Sequence, residues 1–103
     1  MKLNNFSAVI PTKNRISSLL KTLKSISKQS VMPSQIIIID QSNLNAFNDI
    51  FSYFSNDDFL NLINYQYKPN ISGLVEAKDY GMHMVGDELI CFLEDDLFLH
   101  KNV

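Results

Sequence analysis

Apolar and polar positions along this chain fall into blocks whose spacing alternates between that of a strand and that of a helix. Phe6–Ile10 is a short, mostly apolar run closed by Pro11, the pattern of a strand that ends in a turn. Ile16, Leu19, Leu20, Leu23 and Ile26 then recur at i, i+3, i+4, i+7 and i+10, one apolar stripe of an amphipathic helix. Thr12 or Asn14 is available to cap its start, and Pro33 marks its exit. Ile36–Ile39 is four β-branched residues in a row between polar neighbours, as in a strand buried on both faces of a parallel sheet. Asp40–Asn43 is a loop by composition. Phe47, Ile50, Phe51 and Phe54 predict a second helix, which Ser55–Asp58 breaks. Ile63–Tyr67 alternates as a third strand and stops at Pro69. Gly73–Val85 predicts a third helix, with Ser72 as its N-cap and Gly86 as its C-terminal stop. Leu74, Ala77 and Gly81 share one narrow side, and the two small residues allow close approach to a sheet. Glu88–Leu93 predicts a fourth strand running into Glu94-Asp95-Asp96.

The order β-α-β-α-β-α-β implies an α/β fold: a mostly parallel, Rossmann-like sheet flanked by helices and joined by right-handed crossovers. Its 103 residues suit a single domain, 1–103. With 46% hydrophobic and 19% charged residues, the composition excludes general disorder. A net charge of -2 with no basic stripe excludes a nucleic-acid footprint, and Lys21, Lys24 and Lys28 form a solvated helix face. Cys91 is the only cysteine, so no internal disulfide forms, and its setting in Leu89–Leu93 predicts a buried, inert thiol. Met1–Phe6 is too polar for a signal peptide, and Ile36–Ile39 is far too short to span a bilayer. The expected location is cytoplasmic, at most peripheral to a membrane.

Ligands of open α/β sheets bind outside the carboxyl ends of the strands. Three of those ends carry distinctive residues: Pro11-Thr12-Lys13-Asn14-Arg15, Asp40, and Glu94-Asp95-Asp96. A parallel sheet brings all three to one edge. Adjacent carboxylates repel one another unless a cation or hydrogen bonds compensate. A hard divalent metal does so, since Mg²⁺ and Mn²⁺ take oxygen ligands and keep waters or substrate phosphates in their shell. Asp40 is open to two readings, a ligand for a ribose hydroxyl or base N–H, or a cap for the following helix. Lys78, taken alone, faces solvent, and the isolated His83 and His100 read as surface or packing residues.

Together these segments resemble the family-2 glycosyltransferases, over nearly the whole chain. Ala8–Arg15 resembles the family's opening strand and turn, and Ile36–Ser42 its second strand with the nucleotide-binding aspartate. Gly73–Gly81 is similar to the helix that usually reads Gly…Ala-Arg-Asn-x-Gly, and Cys91–Asp96 to the strand ending in the DXD motif. The resemblance implies the N-terminal part of a GT-A fold that binds a nucleotide-diphosphate sugar, a UDP-sugar first among them, with Mn²⁺ or Mg²⁺. Pro11 and Thr12 would border the base, and Asp40 would hydrogen-bond the base or ribose. Asn14, Arg15, Ser42 and Lys78 would complete the nucleotide-sugar site. Asp96 would coordinate the metal; Glu94 and Asp95 would support the ribose or the metal's waters, Glu94 being the second candidate ligand. The family inverts the anomeric centre by direct displacement, with a carboxylate taking the proton of an acceptor hydroxyl on a glycan or lipid-linked glycan.

Two positions depart from the family pattern. Glu94 stands where Asp is usual, and Lys78-Asp79 replaces Arg-Asn, keeping the charge but losing the bidentate fork that suits a diphosphate. The general base and acceptor half are expected beyond Val103, and none of Asp49, Asp57, Asp58 or Asp87 is nominated for that role. The 103 residues alone are therefore expected to transfer no sugar. A nucleotidyltransferase would carry a glycine-rich loop after its first strand, and Pro11–Arg15 has no glycine. A phosphoacceptor receiver would carry acidic residues there. P-loop and dinucleotide-binding readings fail because Gly73, Gly81 and Gly86, the only glycines, form neither loop. The rival of a different class is a non-catalytic nucleotide-binding or assembly module, a homodimer through exposed core surface.

Overall fold

The four isoleucines at 36–39 lie in the interior of a parallel sheet, where side chains on both faces need apolar partners. The computed structural model describes residues 2–3, 6–55, 57–71, 73–84 and 89–93. Its elements in chain order are β1 (Lys2–Leu3), β2 (Phe6–Thr12), α1 (Ile16–Ser27), β3 (Val31–Met32), β4 (Gln35–Asp40), α2 (Phe47–Tyr53), α3 (Asp57–Leu60), β5 (Ile63–Tyr67), α4 (Leu74–His83) and β6 (Leu89–Phe92). The main sheet has the order β5-β4-β2-β6, and all three pairings are parallel. β1 and β3 form a separate two-stranded parallel pair.

The chain steps outward from β2 to β4 to β5, then returns to the far side of β2 for β6. Crossovers keep one hand, so reversing the direction moves the connecting helix to the opposite face. The core divides accordingly. Ala8, Ile10, Ile36 and Ile38 pack with Leu19, Leu23 and Ile26 of α1, Ile50 of α2 and Phe59 of α3. Val9, Ile37 and Ile39 face the other way and pack with Ala77 of α4. All four isoleucines are fully buried, each adding about 1.5–3 kcal/mol of transfer free energy. The stripe of α1 points inward as its spacing requires, while Lys21, Lys24 and Lys28 are exposed.

α4 approaches the sheet closely. Ala77 is fully buried, and a Cβ built on Gly81 would lie 2.5 Å from Cγ1 of Val9. The small residues are therefore what this helix needs at those positions. Leu74, the third residue of that side, lies outside the described side chains.

Several local expectations change. Pro11 does not end the first strand, which runs on to Thr12. Carbonyl O of Val9 faces β6, where it accepts from Leu93 N–H, and Pro11 points its missing N–H to that same side. Among the described residues the β6 pairing stops at Val9, short of Pro11. Neither Thr12 nor Asn14 caps α1. The residue before the helix is Arg15, no side chain caps the first turn, and Asn14 adopts the left-handed conformation at φ 55°. The second helix does end before Ser55, at Tyr53, but a single helical turn, α3, begins at Asp57 inside the segment expected to be a break. β3 answers to no pattern in its two residues and exists because β1 pairs with it.

Cys91 is exposed, not buried. It lies on the α1 face of β6, opposite Ala8, at the outer edge of the sheet. Its side chain stays exposed there, although Leu93 on the same face packs against the core, so an apolar sequence setting does not become a buried one. The Ser72 cap, the Gly86 stop, Val85 and Glu88 lie outside the described residues.

Candidate functional site

The carboxyl ends of β2 and β4 adjoin, with Thr12 opposite Asp40 as the last pair of the ladder. The two loops that leave them are tied together. Asn14 N–H donates to Ser42 Oγ (2.6 Å), and Asn43 N–H donates back to Asn14 Oδ1 (3.0 Å). The left-handed turn at Asn14 allows both bonds, because it presents the backbone and side chain of one residue to the neighbouring loop. Gln41, at the start of the second loop, donates through Nε2 to the carbonyls of Ile71 and Gly73 (2.7 and 3.1 Å), joining the β4 end to the start of α4.

Asp40 is the centre of this edge. The residue has no surface exposed to water. Its Oδ1 accepts from Ser42 N–H (2.9 Å) in an Asx turn, and its Oδ2 accepts from the Tyr65 hydroxyl (2.5 Å). Tyr65 in turn accepts from Ala46 N–H (2.8 Å). Burial, and then the bond to Asp40, push the Tyr65 phenol well above its ordinary range, so the hydroxyl stays protonated as the donor. Asp40 therefore does not cap α2. The N-cap position of α2 is Ala46, which brings no side-chain cap, while Asn45, one residue further out, accepts from Phe47 N–H through Oδ1 (2.7 Å). The second tyrosine of β5, Tyr67, donates to the carbonyl of Asn43 (2.9 Å).

Between the two loops opens a cleft of about 370 Å³, at the lower end of the range of small-molecule sites. Of the residues singled out from the sequence, Thr12, Asn14, Asp40 and Ser42 line it. Pro11 is buried in the sheet behind it, and Arg15 is exposed outside its lining. Lys78 stands apart on α4, half-buried, with Nζ 5.3 Å from the ring centroid of Phe92 on β6. It is thus neither in the cleft nor fully solvated, but beside the strand that leads toward the acidic triplet. Glu94, Asp95 and Asp96 lie outside the described residues. His83 is exposed on α4 and bonds through Nδ1 to the Asp79 carbonyl, as a surface residue; His100 is outside the described residues.

Sequence patterning missed the rest of the lining. Leu44, Asn45, Ala46 and Asp49 form much of the far wall, and Tyr65 and Tyr67 hold it from β5. The polar run after Asp40 was the available signal for the wall. No signal marked the tyrosines, which alternate along β5 like any half-buried pair.

A profile described as Glycosyl transferase family 2 matches residues 7–103. The chain belongs to glycosyl transferase family 2. Among curated relatives of this family-2 chain is the amylovoran biosynthesis glycosyltransferase AmsB of Erwinia amylovora. It is 29% identical over 106 residues, covering 99% of this chain and 34% of AmsB. Another is the GalNAc(5)-diNAcBac-PP-undecaprenol beta-1,3-glucosyltransferase of Campylobacter jejuni, 32% identical over 95 residues, covering 87% of this chain and 29% of that enzyme. The chain thus spans about a third of each relative's length. The crystal structure of S. aureus TarS superposes with a TM-score of 0.74 at 21% identity, over 99% of this chain and 18% of TarS. That likeness establishes the α/β fold, the N-terminal part of a GT-A arrangement. No helix among the described residues is long and apolar enough to cross a membrane.

Proposed function

We propose that this family-2 chain is the nucleotide-sugar-binding part of an inverting glycosyltransferase. The observation that carries the reading is the cleft at the carboxyl ends of β2 and β4, on the same sheet edge toward which β6 runs before the acidic triplet. In this reading the nucleoside lies over Thr12, Asn14 and Ser42, with Asp40 beneath as an acceptor for a base or ribose donor. Pro11 holds the strand end in place behind them. Arg15 and Lys78 supply positive charge toward the diphosphate, Lys78 from the β6 side.

The three carboxylates at 94–96 are a donor set of the kind Mg²⁺ and Mn²⁺ take. Asp96 would be the main ligand, with Glu94 as the second and Asp95 directed to the ribose or to metal-bound water. A cation held there would neutralise the diphosphate and favour its departure as the leaving group. No residue of this chain is assigned as the base that takes the acceptor proton. The Erwinia relative is named for amylovoran biosynthesis and the Campylobacter relative for a glycan on PP-undecaprenol, which supports a glycan or lipid-linked acceptor here; a UDP-sugar is the donor proposed.

Titration calorimetry of UDP, with GDP and dTDP for comparison, tests the reading with and without Mn²⁺. Manganese-dependent binding of UDP that Asp96→Ala abolishes is the expected result. A folded chain that binds none of the three nucleotides would refute it.

A further inference from the structure

Tyr65 carries no charge and no motif, yet it stands between the floor of the cleft and its wall. Its one hydroxyl donates to Asp40 Oδ2 and accepts from Ala46 N–H. These two partners bracket the loop 41–45, which with Ala46 forms most of the wall facing Thr12 and Asn14. We infer that Tyr65 is a positioning residue of the nucleotide cleft, setting the orientation of the Asp40 carboxylate and the place of the 41–46 wall, and through them the choice of base. The inference rests on the nucleotide reading above.

Asp40 lines the cleft from beneath, packed under its surface, so the directions in which it can accept depend on how its two partners hold it. A carboxylate accepts and cannot donate, and it has about four acceptor positions. Ser42 N–H and the Tyr65 hydroxyl occupy one on each oxygen, which fixes the plane of the group and leaves the remaining positions in set directions. An acceptor held in one direction favours a base that presents a ring N–H, as uracil does, over cytosine, whose ring nitrogen there is itself an acceptor. Phenylalanine at 65 retains the ring and its edge contact with Phe47, at 6.0 Å between centroids, and removes only the hydroxyl. Oδ2 of Asp40 and Ala46 N–H then lose their shared partner, the carboxylate is free to turn, and the wall is free to shift.

The test is calorimetric titration of UDP and CDP into the chain and into Tyr65→Phe, well below either melting temperature, with Mn²⁺ present and absent. UDP affinity is expected to fall about tenfold, close to 1.4 kcal/mol, while the preference for UDP over CDP shrinks. The manganese dependence should be unchanged, since the hydroxyl lies at the base end of the cleft. A purely structural tyrosine would lower the melting temperature and leave the affinity and base preference of the folded chain intact; that result overturns the inference alone. Tyr67→Phe, which loses one exposed bond to the Asn43 carbonyl, should keep the base preference. If it erodes the preference as much as Tyr65→Phe, the Asp40 link is not the cause and the inference falls. A wild-type chain that binds neither nucleotide removes the nucleotide reading, and the inference with it.

Discussion

Replacing Gly81 by alanine sets two effects of opposite sign against each other. Gly81 lies within α4 and does not have a positive φ, so its backbone accepts a side chain. On helix propensity alone alanine should stabilise the chain by up to about 1 kcal/mol, less this close to the helix end. The added Cβ, however, meets Val9 Cγ1 at 2.5 Å and Cγ2 at 3.4 Å. Nonbonded carbons settle at about 3.5–4.0 Å, so one methyl pair overlaps by about 1 Å or more. Val9 has little room to yield. It is fully buried, stiff at χ1, and paired with Ile37 on one side and Phe92 on the other. The helix must therefore lift from the sheet, which loosens Ala77 as well. Overpacking of this kind costs about 1–3 kcal/mol and outweighs the propensity gain. A net loss of about 1–2 kcal/mol is expected, with a fall in melting temperature of about 4–8 °C per kcal/mol for a domain of this size. Thermal and urea unfolding followed by circular dichroism would measure it. Val9→Ala removes the methyls that clash, so the double variant should lose less than the sum of the singles, with a coupling of about 1 kcal/mol or more. A Gly81→Ala chain as stable as the wild type, or additive behaviour in the cycle, would refute the close approach of α4 to β2.

Two further expectations follow from the site and the sheet edge. Asp40→Asn leaves one acceptor oxygen for two donors, so either Ser42 N–H or the Tyr65 hydroxyl meets an amide N–H; a loss of about 1–3 kcal/mol in urea unfolding is expected, and an unchanged midpoint would contradict the buried network. Cys91 should react with a thiol reagent in native buffer nearly as fast as in the denatured chain, whereas reaction only after unfolding would mean that the α1 face of β6 is covered.

Local pattern alone settled the order of the four main-sheet strands and of the helices α1, α2 and α4 between them, with their inner faces. The spacing of Ile16 to Ile26, the unbroken run Ile36–Ile39 and the small residues Ala77 and Gly81 each have one packing solution in an α/β sheet, and the structure adopts it. Parallel pairing then made the convergence of Thr12 and Asp40 a consequence of strand order, legible before any coordinates. The rest depended on contacts that no local period records. Asp40 meets Tyr65 across 25 residues, and Asn14 meets Ser42 across 28, because the register of β2, β4 and β5 sets those ends side by side. The same network keeps Asp40 from capping α2, since its carboxylate is already committed to Tyr65 and Ser42. Cys91 was misjudged for a related reason. An apolar run states that a strand belongs in a sheet, but whether each face is covered depends on its place there, and β6 lies at the edge.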